Sequence, residues 1–421
     1  MTRSLFILLL AVLCACGGST VPMAPTPSPY FEAVGSKLEL GGEVFIYADI
    51  DGEAEAAADF ILGALRDSPE LGDLADASRL HGASLARVLG LDQAKGIGLS
   101  SVENGERYIN RGFVYAPVRE GLLRVWGEEP SAFDVLEMAP SDADLVWEQR
   151  LDAEALLELV RNLGQLGIGM KPDELETSLD APLSNLDVTA RDLLEDLKTT
   201  VKMVLSVDES RNVWLPGQSF TFPHADFVVA IDGISALTEA FVRYASGDPF
   251  VRAERSESWI IVTASIRLPP PWNAYEPALM MERETGRTYL VSSPAFLKRC
   301  LEAASELTQS HAFTRATASL PTPGNGFLYL SPRITRVMPA ALDTVVAAQG
   351  PAIQTHDALA LLPSAGESYA WVLRNEPDGF LFRSNSASSH KSTLLTFGMA
   401  ALVPVAMLLA PDESPTAKNP L

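Results

Sequence analysis

The chain has 421 residues, with 54 acidic against 32 basic side chains and a formal charge of −22 at neutral pH. That charge repels polynucleotide phosphates and anionic lipid surfaces, which argues against a nucleic-acid partner. The length suits two or three domains of about 100–200 residues each, and 47% apolar residues supply material for two cores.

Met1–Ala15 has one basic residue, Arg3, followed by the apolar run Leu5–Leu13. The run is too short to cross a bilayer and reads as a signal peptide over residues 1–15. Its end, Leu13-Cys14-Ala15-Cys16, resembles the bacterial lipobox, with Cys14 where a small residue usually stands. The resemblance implies cleavage after Ala15 and a lipid anchor on Cys16. Residues 16–30, rich in Gly, Ser, Thr and Pro, hold too little apolar surface to order themselves and read as a tether. Cys300 is then the remaining thiol, expected as a packed core cysteine behind the helix start Ser293-Pro294.

Four strand-helix units follow in order. The first pairs Val44–Ile50 with a helix whose apolar face is Ala57, Phe60, Ile61, Ala64 and Leu65, one side of a 3.6-residue period. After it, Gly96–Val102 and Tyr108–Val118 flank Asn104-Gly105, a hairpin signal, and Leu122–Trp126 reads as a further strand. The second unit is Asp144–Leu151 with Ala153, Leu156, Leu157 and Val160 on one helix face and Asp152 as its cap. The third is Phe227–Ile231 with Leu237, Ala240, Phe241 and Tyr244. Ser258–Ile266 is a strand by its β-branched and aromatic content, ended by Pro269–Pro271. The fourth unit is Phe327–Leu330 with Ile334, Val337, Met338, Ala341 and Val345, where Pro339 starts or kinks the helix.

Wider matches group these units in two. Leu122–Gly127 followed by Pro130–Leu136 resembles Thr288–Ser293 followed by Pro294–Leu301, and Met203–Phe222 resembles Ser368–Ser384 as a closing pair of strands. The expected fold is α+β: two similar halves, 31–212 and 213–389, each a mostly antiparallel sheet with helices on one face.

Ser392–Ala410 is uncharged and close to the roughly 20 residues that cross a bilayer. It reads as a transmembrane helix in a C-terminal segment 390–421, the other reading being a terminal helix buried on the second half.

The chemistry-bearing motifs are sparse. Phe45–Glu53 resembles the nucleophile strand of haloacid-dehalogenase-type phosphatases, with Asp49 and Asp51 as its two carboxylates, but Glu53 stands where that family has Thr or Ser. Asp49 and Asp51 are therefore expected to favour a helix start and to do no chemistry. Asp49-Ile50-Asp51-Gly52 opens like a calcium loop yet lacks the closing Glu. His224-Ala225-Asp226 can orient an imidazole, with no serine or cysteine signature beside it, and His81, His224, His311, His356 and His390 share no helix face. No catalytic residue, metal or cofactor is expected.

The cadence of Gly324–Met338, Thr288–Ala304 and Phe380–Leu395 is similar to large exported bacterial proteins grouped as a domain of unknown function. The resemblance implies duplicated α+β halves and a secreted, membrane-attached life. The expected function is a non-enzymatic binding or scaffolding lipoprotein of the bacterial envelope, facing the periplasm, with the membrane and an envelope protein as partners. The alternative is an envelope hydrolase whose site is assembled from sequence-distant residues.

Overall fold

The structure is a computed structural model that describes residues 28–66, 81–127, 129–166, 171–183, 188–196, 200–214, 221–245, 247–266, 268–339 and 365–391. The expected signal peptide, Cys16, most of the expected tether and Ser392–Ala410 lie outside the described residues.

Among the described residues thirteen strands join in one antiparallel sheet. They are β1 (Val44–Asp49), β2 (Gly96–Asn104), β3 (Arg107–Tyr115), β4 (Leu145–Arg150), β5 (Thr200–Trp214), β6 (Thr221–Ile231), β7 (Val251–Arg255), β8 (Trp259–Ala264), β9 (Ala278–Glu282), β10 (Thr288–Val291), β11 (Gly326–Leu330), β12 (Tyr369–Glu376) and β13 (Gly379–Ser386). Their order across the sheet is β1-β2-β3-β13-β12-β11-β4-β5-β6-β10-β9-β8-β7. The helices are α1 (Phe31–Gly35), α2 (Ala54–Arg66), α3 (Gly82–Leu89), α4 (Ala153–Gln165), α5 (Pro172–Asp180), α6 (Ala190–Asp196), α7 (Ser235–Ala245), α8 (Pro294–Glu302), α9 (His311–Thr317) and α10 (332–339).

The class is α+β, and the arrangement departs from two separate sheets. The C-terminal strands β11 to β13 lie between β3 and β4 of the N-terminal part, and the boundary expected at 212/213 falls inside β5. The β-branched and aromatic runs do form strands, since such side chains fit the pleated surface. What the runs leave undetermined is which strand lies beside which.

Helices cover both faces of the sheet, not one. The largest core cluster joins Val146, Val204, Val228, Tyr289, Val291, Phe327 and Met280 of the sheet to Phe296 and Leu297 of α8 and Phe313 of α9. Successive strand residues point to opposite faces, and Met281, next to Met280, packs with Ile260 and Val262 against Val242 and Ala245 of α7. Likewise Leu145, beside Val146, joins Leu330 and Ile334 of α10 on that second face.

The β2–β3 hairpin forms with Asn104 opposite Arg107, so Gly105 takes the first central place of the turn with φ +68°. A positive φ at that place alone is the pattern that a glycine opening the turn supports. Leu122–Trp126 is not a strand; its first residues belong to a short 3-10 turn at Gly121–Leu123. Both edges of β3 are already taken, by β2 and β13, so this segment has no place beside the strand it follows. Met203–Phe222 covers most of the long β5 and the first residues of its antiparallel partner β6, so it falls on a pair of strands whose second member continues to Ile231.

Asp152 caps α4 as expected, its carboxylate accepting from Ala155 N at 2.8 Å. Ala153 is buried as expected, but the rest of the packed face is Ala155 and Leu159, set against Val125, and Leu156 and Val160 are exposed. In α7 the buried residues are Thr238, Ala240, Val242 and Ala245, and Phe241 and Tyr244 are exposed. In α2, Ala57, Ala58 and Leu62 are buried; the side chains of Phe60, Ile61, Ala64 and Leu65 lie outside the described set. Helix α10 is already running before Pro339, so it does not start there. Among the described residues no helix is long and apolar enough to cross a membrane.

Candidate binding cleft

An open cleft of about 840 Å³ lies where β5 and β6 run past the start of α8. Its shape begins with strand register. Ser206 lies across from Asp226 and Asp208 from His224; the ladder then slips, resuming at Asn212 opposite Pro223. A bulge leaves extra residues unpaired and bends its strand, and Pro223 has no N–H to give the ladder. The four side chains Ser206, Asp208, His224 and Asp226 share one face by their period of two, and residues 209–211 loop out at the rim.

Opposite them α8 begins. Ser293 caps it, its hydroxyl accepting from Phe296 N at 3.2 Å, and Pro294 takes the first turn, where a missing N–H costs nothing. The preceding residue, Ser292, is fully buried. Its Oγ donates to Asp226 Oδ1 at 2.7 Å and accepts from Phe227 N at 3.0 Å.

His224 is 3% exposed, with Nε2 3.4 Å from Asp226 Oδ2. Its ring stacks on Tyr275 at 4.6 Å between centroids and 23° between planes. Burial raises the Tyr275 phenol above its ordinary pKa.

Several charges at the cleft are spent on internal pairs. Arg299 binds Asp142 at 2.9 Å and lies over the Phe296 ring. Arg333 Nη1 donates to Val207 O at 2.7 Å and to Asp144 at 3.2 Å. Asp144 also accepts from Val207 N and Ser331 Oγ, and burial holds its carboxyl above the usual range. Glu209 pairs with Arg336. Asp208 accepts from Ser210 Oγ and N, which lowers its pKa. Glu276 and Arg211 also line the cleft, both exposed, and their side chains have no hydrogen bond or ion pair among the described residues.

The sequence pair His224-Ala225-Asp226 is thus in the cleft, and Ser292 reaches it from another strand. The serine bonds the carboxylate, however, and not the imidazole. Nucleophilic catalysis needs the hydroxyl proton within reach of a base that can take it; here the proton is held by a carboxylate and the oxygen by a backbone N–H. The arrangement fixes Asp226, leaving it two oxygens with acceptor capacity toward the cleft.

Asp49 and Asp51 are elsewhere, tied into the N-terminal end of the fold. Ser28 Oγ donates to Asp49 at 2.5 Å, and Asp51 accepts from Tyr30 Oη at 2.9 Å and Lys95 Nζ at 2.8 Å. Cys300 is buried within the main core, and desolvation pushes its thiol up to about 12. Among the described residues no group of three or more His, Cys, Asp or Glu side chains is placed to hold a metal ion.

No family model, curated protein or solved structure matches the chain.

Proposed function

We propose that the chain is a binding lipoprotein of the bacterial envelope, anchored through Cys16, whose cleft between β5–β6 and α8 takes a small polar ligand without turning it over. The single observation that carries the binding function is Ser292, whose hydroxyl donates to Asp226 while its oxygen accepts from Phe227 N, so that the proton is committed to holding the cleft carboxylate. The cleft volume of about 840 Å³ falls in the roughly 300–1,000 Å³ range of small-ligand sites.

The strand order supports the duplicated origin, with the repeat framed differently from 31–212 and 213–389. Outward from the β11–β4 pair the sheet reads β11-β12-β13-β3-β2-β1 on one side and β4-β5-β6-β10-β9-β8 on the other. Each side is a strand followed in sequence by a helix, then a hairpin, then three consecutive strands in reverse order, which frames the copies as β1–β6 and β8–β13. At the end of β10, Ser292 N donates to Phe227 O; at the end of β3, Ala116 N donates to Asp378 O. An alanine thus stands in one copy where the other has the serine that positions the cleft carboxylate.

A hydrolase is the second reading, favoured by the His224–Asp226 pair at the cleft wall. The full chain in detergent, assayed on ester, amide and phosphate-ester substrates, separates the two. Turnover is expected to be absent, and turnover that His224→Ala abolishes would establish the hydrolase. The anchor is tested in a bacterial host by lipid labelling, which is expected in the parent and lost in Cys16→Ser; equal labelling of both would remove Cys16 from the proposal.

A further inference from the structure

We propose that the cleft captures a cationic group, an alkylammonium or guanidinium, a ligand class that rests on the binding function above. Once the internal pairs of Asp142, Asp144 and Glu209 with arginines are set aside, the lining retains Asp208, Asp226 and Glu276 against the exposed Arg211. Arg211 acts on Asp208 through space, Asp226 has only the His224 imidazole as an ion-pair partner, and the Glu276 side chain has no ion pair among the described residues.

Ser206 gives the independent sign that a ligand belongs there. It lines the cleft, is 6% exposed and lies directly across from Asp226, and its Oγ has no hydrogen-bond partner among the described residues. Buried hydroxyls are ordinarily paired, because an unpaired one has lost its water without replacement. A hydroxyl beside carboxylates that only accept is completed by a group that only donates. Ammonium and guanidinium are such groups, with three and five N–H donors and no acceptor. The acidic balance of the whole chain draws the same class of ligand toward the surface.

The cation can belong to a small amine or to a lysine or arginine of a polypeptide, and the test separates them. The full chain in detergent is titrated with agmatine, with a blocked Lys-Lys dipeptide and with glutarate, by calorimetry and thermal unfolding. Agmatine is expected to bind saturably, about tenfold more weakly to Asp226→Asn and about threefold more weakly to Glu276→Gln, the losses expected of charge-assisted contacts. Glu254→Gln, on the far edge strand β7, is expected to match the parent. The Glu276 side chain is exposed and makes no hydrogen bond or ion pair among the described residues, so Glu276→Gln reads the site even if Asp226→Asn does not fold. Blocked Lys-Lys binding more tightly than agmatine assigns the cation to a polypeptide, and the reverse order assigns it to a small amine. Glutarate binding that tightens in Asp226→Asn would overturn the cation and leave the binding function standing. No saturable response to agmatine or the dipeptide overturns the cation outright, whereas substrate turnover that His224→Ala abolishes removes the binding function itself.

Discussion

Ser292 Oγ donates to Asp226 Oδ1 at 2.7 Å across the join between β10 and β6, two strands whose bonded residues are 66 positions apart in the chain. The serine also accepts from Phe227 N, so it holds both the side chain of one residue and the backbone of the next.

Ser292→Ala should therefore leave two polar groups without their partner. A buried group left unsatisfied costs roughly 1–3 kcal/mol, and Asp226 is only partly buried, which places the loss toward the low end. Urea unfolding of the full chain in detergent measures it. Ser292→Thr, which keeps the hydroxyl, should recover part of the loss, and a Ser292→Ala protein as stable as the parent would show that the bond is not felt.

Lys202 and Glu148 face each other across β5 and β4, 2% and 0% exposed. Glu148 accepts from Val135 N at 2.8 Å and lies 3.3 Å from Arg150; Lys202 reaches Asp134 and Asp232 at 3.3 and 3.4 Å. Lys202→Met removes a neighbouring charge from a fully buried carboxylate and should cost roughly 3–5 kcal/mol, read as a fall in the denaturant midpoint. Burial raises the Glu148 pKa above its ordinary 4.5. A raised carboxylate contributes its stability below the unfolded value and loses it as pH climbs through the folded one. Glu148→Gln should accordingly remove a gain in stability that the parent shows on acidification from neutrality toward pH 4.5.

His390 gives the opposite slope. It is 7% exposed, its Nε2 has no partner among the described residues, and burial lowers its pKa from 6.5 to about 4. The unfolded chain takes up the proton first, so stability is present above pH 6.5 and is lost as pH falls toward 4. The loss approaches roughly 3 kcal/mol at the acid end, from about 1.4 kcal/mol per pH unit. His390→Asn should abolish this slope in unfolding curves collected between pH 7 and pH 4.

Asp49→Asn combined with Asp51→Asn should lower stability by about 1 kcal/mol or less, since Lys95–Asp51 is a partly exposed pair. The combined variant should leave agmatine affinity unchanged, because neither residue lines the cleft. A purified protein with phosphatase activity that Asp49→Asn destroys would return these carboxylates to catalysis.

The strands Val44–Ile50, Asp144–Leu151, Ser258–Ile266 and Phe327–Leu330 were legible as apolar, β-rich runs, and each lies on a strand of the sheet. Their neighbours were not legible, because pairing such as Phe382 with Gly112 is decided by packing between distant segments. The face of α4 shows why periodicity alone fails. Ala155, Leu159 and Leu163 form one apolar row and Leu156, Leu157 and Val160 another, and only the presence of Val125 against the first decides which is buried. In the cleft, His224-Ala225-Asp226 was visible as a local pair. Ser292 was hidden, because a serine before a helix cap has no local mark of the carboxylate it meets, and Ser206 and Glu276 carry no motif at all.

The insertion of β11 to β13 between β3 and β4 fixes the order in which the molecule can be completed. A chain emerging from its N-terminus presents β3 and β4 long before residues 326–386 exist to lie between them. Until then each strand has an edge of unanswered N–H and C=O groups, the feature that invites pairing with other chains. Closing the gap brings together segments hundreds of residues apart, the slow kind of contact in folding. The last hairpin made is thus the keystone of the sheet, and a ribosome or export channel that halts before it leaves a protein with two open edges instead of a smaller domain.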